Sequence, residues 1–283
     1  MFSLDCSAAS RRFTPLISVL LPARNAETSV RQAATSILNN TYRNLQLILI
    51  DDASTDHTAT ILKDLSKTDR RCLFLQNRQT RGISFCLNLA LRYADGSLIA
   101  RMDADDVSHP SRLQIQENFL KDNPQFDFVG TAANLIDRNY RYGLRRFMKQ
   151  PSKDDLIVRN PFIHPTVLFR KDALLLVNGY KDTPFTRRCE DYDLFFRLYA
   201  AGCRGYNLPL PLLDYSETQN DASKHTARTR FNEFLVRFRG SIAIRKPIGC
   251  LKALKSLGAI FLPKKLYFKL KYSRKENQLF NTR

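Results

Sequence analysis

The chain has 283 residues but no Trp, only three Met and four His. No apolar run approaches the ~18–20 residues that span a bilayer, so no transmembrane helix is expected. Residues Met1 to Pro15 mix polar and charged side chains without an apolar h-region, and no secretory signal is expected either. The six cysteines, Cys6, Cys72, Cys86, Cys189, Cys203 and Cys250, include no C-x-x-C pair. That argues against a zinc knuckle and for reduced, mostly buried thiols in a cytosol-like compartment. G-x-G-x-x-G and G-x-x-x-x-G-K-[ST] are both missing, so neither a Rossmann dinucleotide site nor a P-loop is supported. No internal repeat is visible.

A hydrophobic content of 43% at this length supplies core for one large domain, or one domain with an appendage. The net charge of +18 is unevenly placed. Residues 221–283 hold 16 Lys/Arg against 3 Asp/Glu, thirteen of the eighteen excess positive charges. Such a tail can meet nucleic acid, an anionic membrane face, or only water. No RNP-like, helix-turn-helix or zinc signature accompanies it, so nucleic acid is not an expected partner. Within the tail, residues 247–272 alternate Leu251, Leu254, Leu257 and Leu266 with Lys252, Lys255, Lys265 and Lys269. They read as a basic amphipathic helix. It either lies in an anionic membrane interface or packs its apolar face on the main domain.

Ahead of the tail the chain alternates strand-like and helix-like segments. Leu16–Leu21 is a first strand, stopped by Pro22, and Glu27–Asn39 has helical spacing. Leu45–Ile50 is a second strand ending in Asp51 and Asp52; Thr55 or Asp56 can cap the helix that follows. Cys72–Leu75 is a third strand, Arg81-Gly82 opens a third helix, and Ser97–Ala100 is a fourth strand. This βαβαβαβ rhythm predicts an α/β fold: a Rossmann-like, mostly parallel sheet with helices on both faces. Asn25, Asp51, Asp52, Arg81, Asp103 and Asp105 then issue from one sheet edge, where nucleotides lie in such folds. Further strands are expected at Phe126–Ala133 and Pro161–Phe169, with a hairpin or loop over 134–160 and a helix following Glu190-Asp191.

The fourth strand delivers Asp103, Asp105 and Asp106 within four residues. Crowded carboxylates repel unless a cation compensates, and Mg²⁺ or Mn²⁺ binds through carboxylates plus substrate phosphates. With no glycine-rich phosphate cradle, a metal–diphosphate site is the sharp reading. The plain alternative is a solvated acidic turn ahead of a helix. Asp103-Ala104-Asp105-Asp106-Val107 also fits the D-x-D-x-[TV] pattern of haloacid-dehalogenase-like phosphatases, with Asp103 as nucleophile. That family normally places its nucleophile on the first strand, whereas three strands precede Asp103 here. A nucleotidyltransferase of related fold is a further alternative.

Four patterns resemble the family 2 glycosyltransferases, which have the GT-A fold: Ile17–Pro22 through Asn25; Ile50–Asp56; Met102–Asp106 with Pro110–Leu113 behind it; and Glu190–Leu194. His164-Pro165-Thr166-Val167 resembles a segment of bacterial members that build surface polysaccharides and lipooligosaccharides. The likeness covers roughly residues 15–215. It implies a nucleotide-lining loop of Pro22, Ala23, Arg24 and Asn25, and uracil or ribose binding by Asp52 or Asp51. It places Arg81 and Gly82 at the base or diphosphate, and Asp103, Ala104 and Asp105 at the D-x-D motif. Asp105 is the direct metal ligand in this picture and Asp103 the sugar-nucleotide contact and second ligand. Asp191 falls at the general base, with Glu190 as its rival. His164 is a candidate third metal ligand or acceptor contact, or else a buried hydrogen-bonded imidazole. Arg187 and Arg188 either grip an anionic acceptor or carry solvated charge.

The implied activity is transfer of one sugar from a UDP-sugar to a hydroxyl of a glycan or lipid-linked glycan, in polysaccharide, lipopolysaccharide or capsule synthesis. Without Trp the chain lacks the Q-x-x-R-W signature of processive synthases. Mn²⁺ or Mg²⁺ would neutralise the leaving diphosphate, one carboxylate base would take the acceptor proton, and in-line attack would invert the anomeric centre. The expected organisation is an extension over 1–14 and a catalytic domain over 15–220, divided near residue 110 into nucleotide and acceptor halves. A basic helical tail follows over 221–283. The expected location is cytoplasmic, peripheral on the inner membrane if the tail binds lipid.

Overall fold

Four apolar runs build one half of the sheet. In the computed structural model, which describes residues 14–137, 140–217 and 226–258, β1 (Ile17–Ala23) is followed by α1 (Val30–Leu38). Then come β2 (Leu45–Asp51), α2 (Thr58–Thr68), β3 (Cys72–Gln76), α3 (Ile83–Arg92) and β4 (Leu98–Arg101). All four strands are parallel, in the order β3-β2-β1-β4. Successive side chains of a strand face opposite ways, and both faces are apolar here. Val19, Leu21, Leu47 and Leu49 pack with Ala34, Ile37 and Leu62 of α1 and α2. Leu20, Ile48, Ile50 and Ile99 pack with Cys86, Leu87 and Leu91 of α3. Helices cover both faces, as the alternation predicts.

The chain continues through β5 (Val107–Ser108), α4 (Arg112–Asp122), β6 (Phe128–Asp137), β7 (Tyr140–Arg145) and α5 (Lys153–Leu156). A 3₁₀ turn, His164–Thr166, precedes β8 (Leu168–Arg170), α6 (Lys171–Leu176), α7 (Glu190–Ala200), β9 (Gly205–Ser216), α8 (Ala227–Ala243) and α9 (Ile248–Gly258). The sheet runs β3-β2-β1-β4-β8-β6-β9-β5, with β7 as a hairpin on β6. β8 is antiparallel to both its neighbours, while β6 and β9 are parallel. Phe128, Phe162 and Phe195 pack at ring separations of 4.7–5.6 Å, anchoring α7 on this half.

Several segments differ from the sequence reading. Pro22 does not stop β1; the strand runs through it to Ala23. Leu20 accepts from Met102 N on the β4 side and Ala23 accepts from Asp52 N on the β2 side. Pro22 therefore turns its nitrogen toward β4, whose pairing has already ended at Leu20↔Arg101, and no ladder bond is lost. The strand expected over Pro161–Phe169 is instead the 3₁₀ turn and three-residue β8, because Pro165 at the second helical position preorganises a turn. β5 and β9 were not foreseen. Of the amphipathic helix expected over 247–272, Ile248–Gly258 is helical and Pro247 is a turn residue before it; residues 259–272 lie outside the described residues, as do 1–13. Cys72, Cys86, Cys189, Cys203 and Cys250 are free thiols; Cys6 lies outside the described residues.

Candidate active site

The loops leaving β1 and β2 are stapled together. Asn25 N donates to Ser54 Oγ (3.0 Å) and Asn25 Oδ1 accepts from Thr55 N (2.9 Å). Ala26 N reaches Thr58 Oγ1 at 2.7 Å, and His57 N reaches Glu27 Oε2 at 2.9 Å. His57 holds the cap position of α2, and Asp56 Oδ1 accepts from Thr58 N at 2.9 Å. Asn25 and Ala53 both have positive φ, 49° and 54°. Asn tolerates that region; Ala does not readily, and such backbone persists only where the surroundings over-determine it. Arg24 and Asn25 are exposed beside Pro22 and Ala23 at this sheet edge.

Asp51 and Asp52 are both buried and do different work. Asp51 accepts from Ser54 N (3.3 Å) and Gln76 Nε2 (3.2 Å), tying β2 to β3. Asp52 Oδ1 accepts from Arg81 N (2.8 Å) and Asn77 Nδ2 (2.7 Å), and Oδ2 from Gly82 N (2.8 Å). Burial pushes the Asp52 carboxyl up, but these donors reverse the effect and hold it below its ordinary value. Asp52 thus fixes the loop before α3, where Gly82 has φ +91°, a conformation suited to glycine. The Arg81 guanidinium lies over the Phe85 ring at 4.4 Å.

At the end of β4, one carboxylate oxygen from each of Asp103, Asp105 and Asp106 lies within 4.8 Å of the other two. Asp106 accepts from Ser216 N at 2.9 Å, while its Oδ2 is buried without a hydrogen-bond partner. Burial, then the charges of Asp103 and Asp105, push the Asp106 carboxyl well above its ordinary value. Asp103 is ion-paired with the buried Arg101. Burial lowers the Arg101 pKa, but the Asp103 carboxylate outweighs it and keeps the guanidinium firmly charged. Beneath them Arg112 is fully buried and donates to Pro165 O (2.9 Å) and Arg101 O (3.3 Å). It joins α4, the His164–Thr166 turn and β4.

α7 brings Glu190 and Asp191 within electrostatic reach of Arg101, and Arg188 just before it has φ 68°. Asp191 Oδ2 accepts from Asn160 Nδ2 at 2.8 Å and Oδ1 from Tyr192 N at 2.8 Å. Burial raises its pKa; the Tyr192 N–H and the Arg101 charge pull it partly back, and Asp103 raises it again. Glu190 as a residue is half-buried, but its Oε2 is shielded and has no hydrogen-bond partner. Burial and then the Asp191 charge push it up to about 7. Arg101 therefore stands electrically between the acid cluster and the acid pair. Acidic side chains in the first turn of α7 also suit the helix dipole.

His164 does not join the acid cluster. Its Nε2 is 2.9 Å from Tyr180 Oη, and burial followed by the Arg101 charge holds its pKa well below the ordinary value. The buried, hydrogen-bonded imidazole describes it. Arg187 and Arg188 are exposed. The sequence reading missed Arg101, Asn77, Asn160 and Tyr180. Arg112 lay within a quoted pattern without a role. An arginine ending an otherwise apolar strand was the one signal for Arg101, since charge is rarely buried unpaired.

Residues 18–180 match the family described as Glycosyl transferase family 2. The O-antigen biosynthesis glycosyltransferase WbnJ of Escherichia coli is 34% identical over 213 residues, covering 73% of this chain and 81% of that protein. A structure of TarS residues 1–349 from S. aureus with UDP-GlcNAc superposes with a TM-score of 0.68 at 16% identity, over 85% of this chain and 71% of that one. The mannosyltransferase PcManGT of Pyrobaculum calidifontis, solved with GDP-Man and Mn²⁺, gives 0.61 at 16% identity, over 93% and 81%. Both have the GT-A fold. The phosphatase and nucleotidyltransferase alternatives fall, and the chain, a GT-A glycosyltransferase, belongs to glycosyl transferase family 2.

Proposed function

We propose that the protein transfers one sugar, with inversion, from a UDP-sugar to a hydroxyl of a glycan or lipid-linked glycan, in surface polysaccharide synthesis at the cytoplasmic face of the membrane. The observation that carries this reading is the convergence of Asp103, Asp105 and Asp106 at the exit of β4, which runs parallel to the β1 and β2 strands that release the Asn25 and Asp52 loops. The acid pair of a separate helix lies across Arg101. A UDP-GlcNAc complex of TarS and the O-antigen role of WbnJ support the donor and the pathway class.

The acid cluster fits a divalent cation: three oxygens are gathered, one oxygen of Asp106 is unpartnered, and carboxylates are the ligands Mn²⁺ and Mg²⁺ prefer. Asp105 and Asp103 would hold it, and when bound it supplies positive charge to the leaving diphosphate. The loop of Pro22, Ala23, Arg24 and Asn25, with Arg81, Gly82 and the Asp52 that fixes them, receives the nucleotide. Asp191 takes the acceptor hydroxyl proton. Its carboxylate is oriented by Asn160 and the Tyr192 N–H, and its raised pKa moves it toward the operating pH. The acceptor oxygen bonds to the anomeric carbon as the bond to the diphosphate oxygen breaks on the opposite face. Glu190, unanchored at Oε2, shapes the field on Asp191.

The test is a panel of UDP-, GDP- and CDP-sugars, read by thermal protection with Mn²⁺ and then by UDP release. Asp105→Ala is expected to lose metal-dependent UDP binding. Asp191→Asn should keep donor binding and lose transfer by roughly 10²–10⁴-fold. A fully active Asp191→Asn enzyme overturns the base assignment; protection by another nucleotide sugar alone overturns the donor.

A further inference from the structure

Helix α8 is inside out. The side it turns to the protein carries Arg230, Asn232, Arg237 and Ser241, all buried, with Val236 and Gly240. Its solvent side carries Phe231, Phe238 and Ile242, which are 43%, 37% and 57% exposed. These positions recur at helical spacing and form one stripe, and Phe231, Phe234 and Phe238 follow ring on ring at 6.2 and 5.7 Å. The polar inner face is tied to the domain: Arg237 donates to Ile157 O at 2.9 Å, and Asn232 Nδ2 to Pro184 O and Arg187 O at 3.0 and 3.1 Å. Across the next turn α9 exposes Ile248 and Leu251, at 53% and 64%. A surface helix of a soluble domain points its apolar stripe inward. An exposed apolar stripe on two adjacent helices marks an interaction surface.

Charge selects the occupant. Arg228 and Arg239 on α8 and Arg245 in the turn before α9 are exposed. By sequence, residues 259–283 add seven Lys/Arg against one Glu. Exposed apolar residues flanked by excess positive charge match an anionic lipid leaflet, and no described helix is long and apolar enough to cross a membrane. We infer that the α8–α9 face, with Phe231, Phe238, Ile242, Ile248 and Leu251 as its apolar contacts, docks the enzyme on an anionic bilayer surface.

The docking stands on this surface alone. Its relation to the acceptor rests on the proposed reaction. Asn232 holds the loop that ends at Glu190-Asp191, and Arg239 lies over the half-exposed Phe185 ring of that loop at 5.9 Å. Docking through α8 therefore places Asp191 near the leaflet, where a lipid-linked hydroxyl is presented.

The test is flotation of the full chain with vesicles of equal parts phosphatidylglycerol and phosphatidylethanolamine, against vesicles of phosphatidylcholine. Wild type is expected to float with the anionic vesicles only. Phe238→Ser with Ile242→Ser leaves every charge in place and should lower binding about tenfold or more. Arg228→Gln should lower it about fivefold, from the ~1 kcal/mol that one cation contributes near an anionic leaflet. Thermal unfolding and UDP binding serve as folding controls. If the double variant does not fold, Leu251→Ser on α9 takes its place. Undiminished flotation of the serine variants overturns the inference, as does equal binding to phosphatidylcholine. A wild-type dimer in solution that the serine variants dissolve, without vesicle binding, assigns the face to a second copy and also overturns it. Donor binding separates this failure from failure of the proposed reaction.

Discussion

Glu190→Gln isolates one buried charge. Its carboxyl is held at about 7 against an ordinary 4.5, by burial and by Asp191. At about 1.36 kcal/mol per pKa unit, the anion is disfavoured in the folded state by roughly 3 kcal/mol. Part of that is shared with Asp191 and relaxes with it, so on the order of 2 kcal/mol is the working figure. The sign follows from proton binding. Between 4.5 and about 7 the folded chain holds this proton more tightly than the unfolded chain. The contribution is therefore fully present below the unfolded value and is lost as pH rises through the folded one. Gln does not titrate. The stability of Glu190→Gln relative to wild type should widen by on the order of 2 kcal/mol between about pH 5 and pH 8. That corresponds to roughly 4–8 °C in Tm for a domain of this size. His164, whose folded pKa is lowered, titrates alike in both proteins and cancels in the difference. Scanning fluorimetry across the pH series, checked by urea unfolding at its two ends, measures it. A gap that stays flat or narrows toward pH 8 refutes the burial argument.

Two other substitutions probe the frame. Asp52→Asn leaves one oxygen for the three donors now shared by two and turns an amide N–H toward a backbone N–H. A loss of about 1–3 kcal/mol by urea unfolding is expected, with weaker UDP binding by calorimetry as the Arg81-Gly82 loop loosens; a wild-type midpoint and affinity would show that the clamp is dispensable. Gly240→Ala should gain about 0.5–1 kcal/mol from helix propensity, but its Cβ would overlap the Phe196 ring, and overpacking of that kind costs about 1–3 kcal/mol. Packing should win and the melting temperature fall, with α8 loosening from α7; a rise in Tm shows that Phe196 yields.

The parallel half of the fold was legible because each strand is a short apolar run bounded by polar turns, and each helix repeats its apolar positions at 3.6. The second half was not. β9 contains Pro209 and Pro211, which ordinarily demote a strand. It survives because its pairing with β6 is irregular there: Thr131 faces Leu208 and the next pair is Ala132↔Pro211, with a register shift on either side of it, so Pro209 falls in a break and Pro211 in a single isolated pair. Pro22 escapes in the same way at the end of β4 pairing. A one-dimensional rule charges every proline with a lost bond; only the pairing partners show whether a bond was there to lose.

The site divides along the same line. Residues that leave strand ends, Asn25, Asp51, Asp52, Arg81, Asp103 and Asp105, were placed together by topology alone, since parallel strands put their exits on one edge. How Arg101 relates the acid cluster to Glu190-Asp191 is set by the register of β4 against the start of α7, ninety residues on, which no local pattern encodes. That relation bears on the chemistry. Three carboxylates crowd together above the buried guanidiniums of Arg101 and Arg112, close enough that Asp103 and Asp105 help push the Asp106 carboxyl well above its ordinary value. Unrelieved, such a cleft repels a diphosphate. On the proposed reaction, a divalent cation would relieve that crowding, and Arg101, ion-paired with Asp103 and acting by its charge on Asp191, would stand between the donor side and the base.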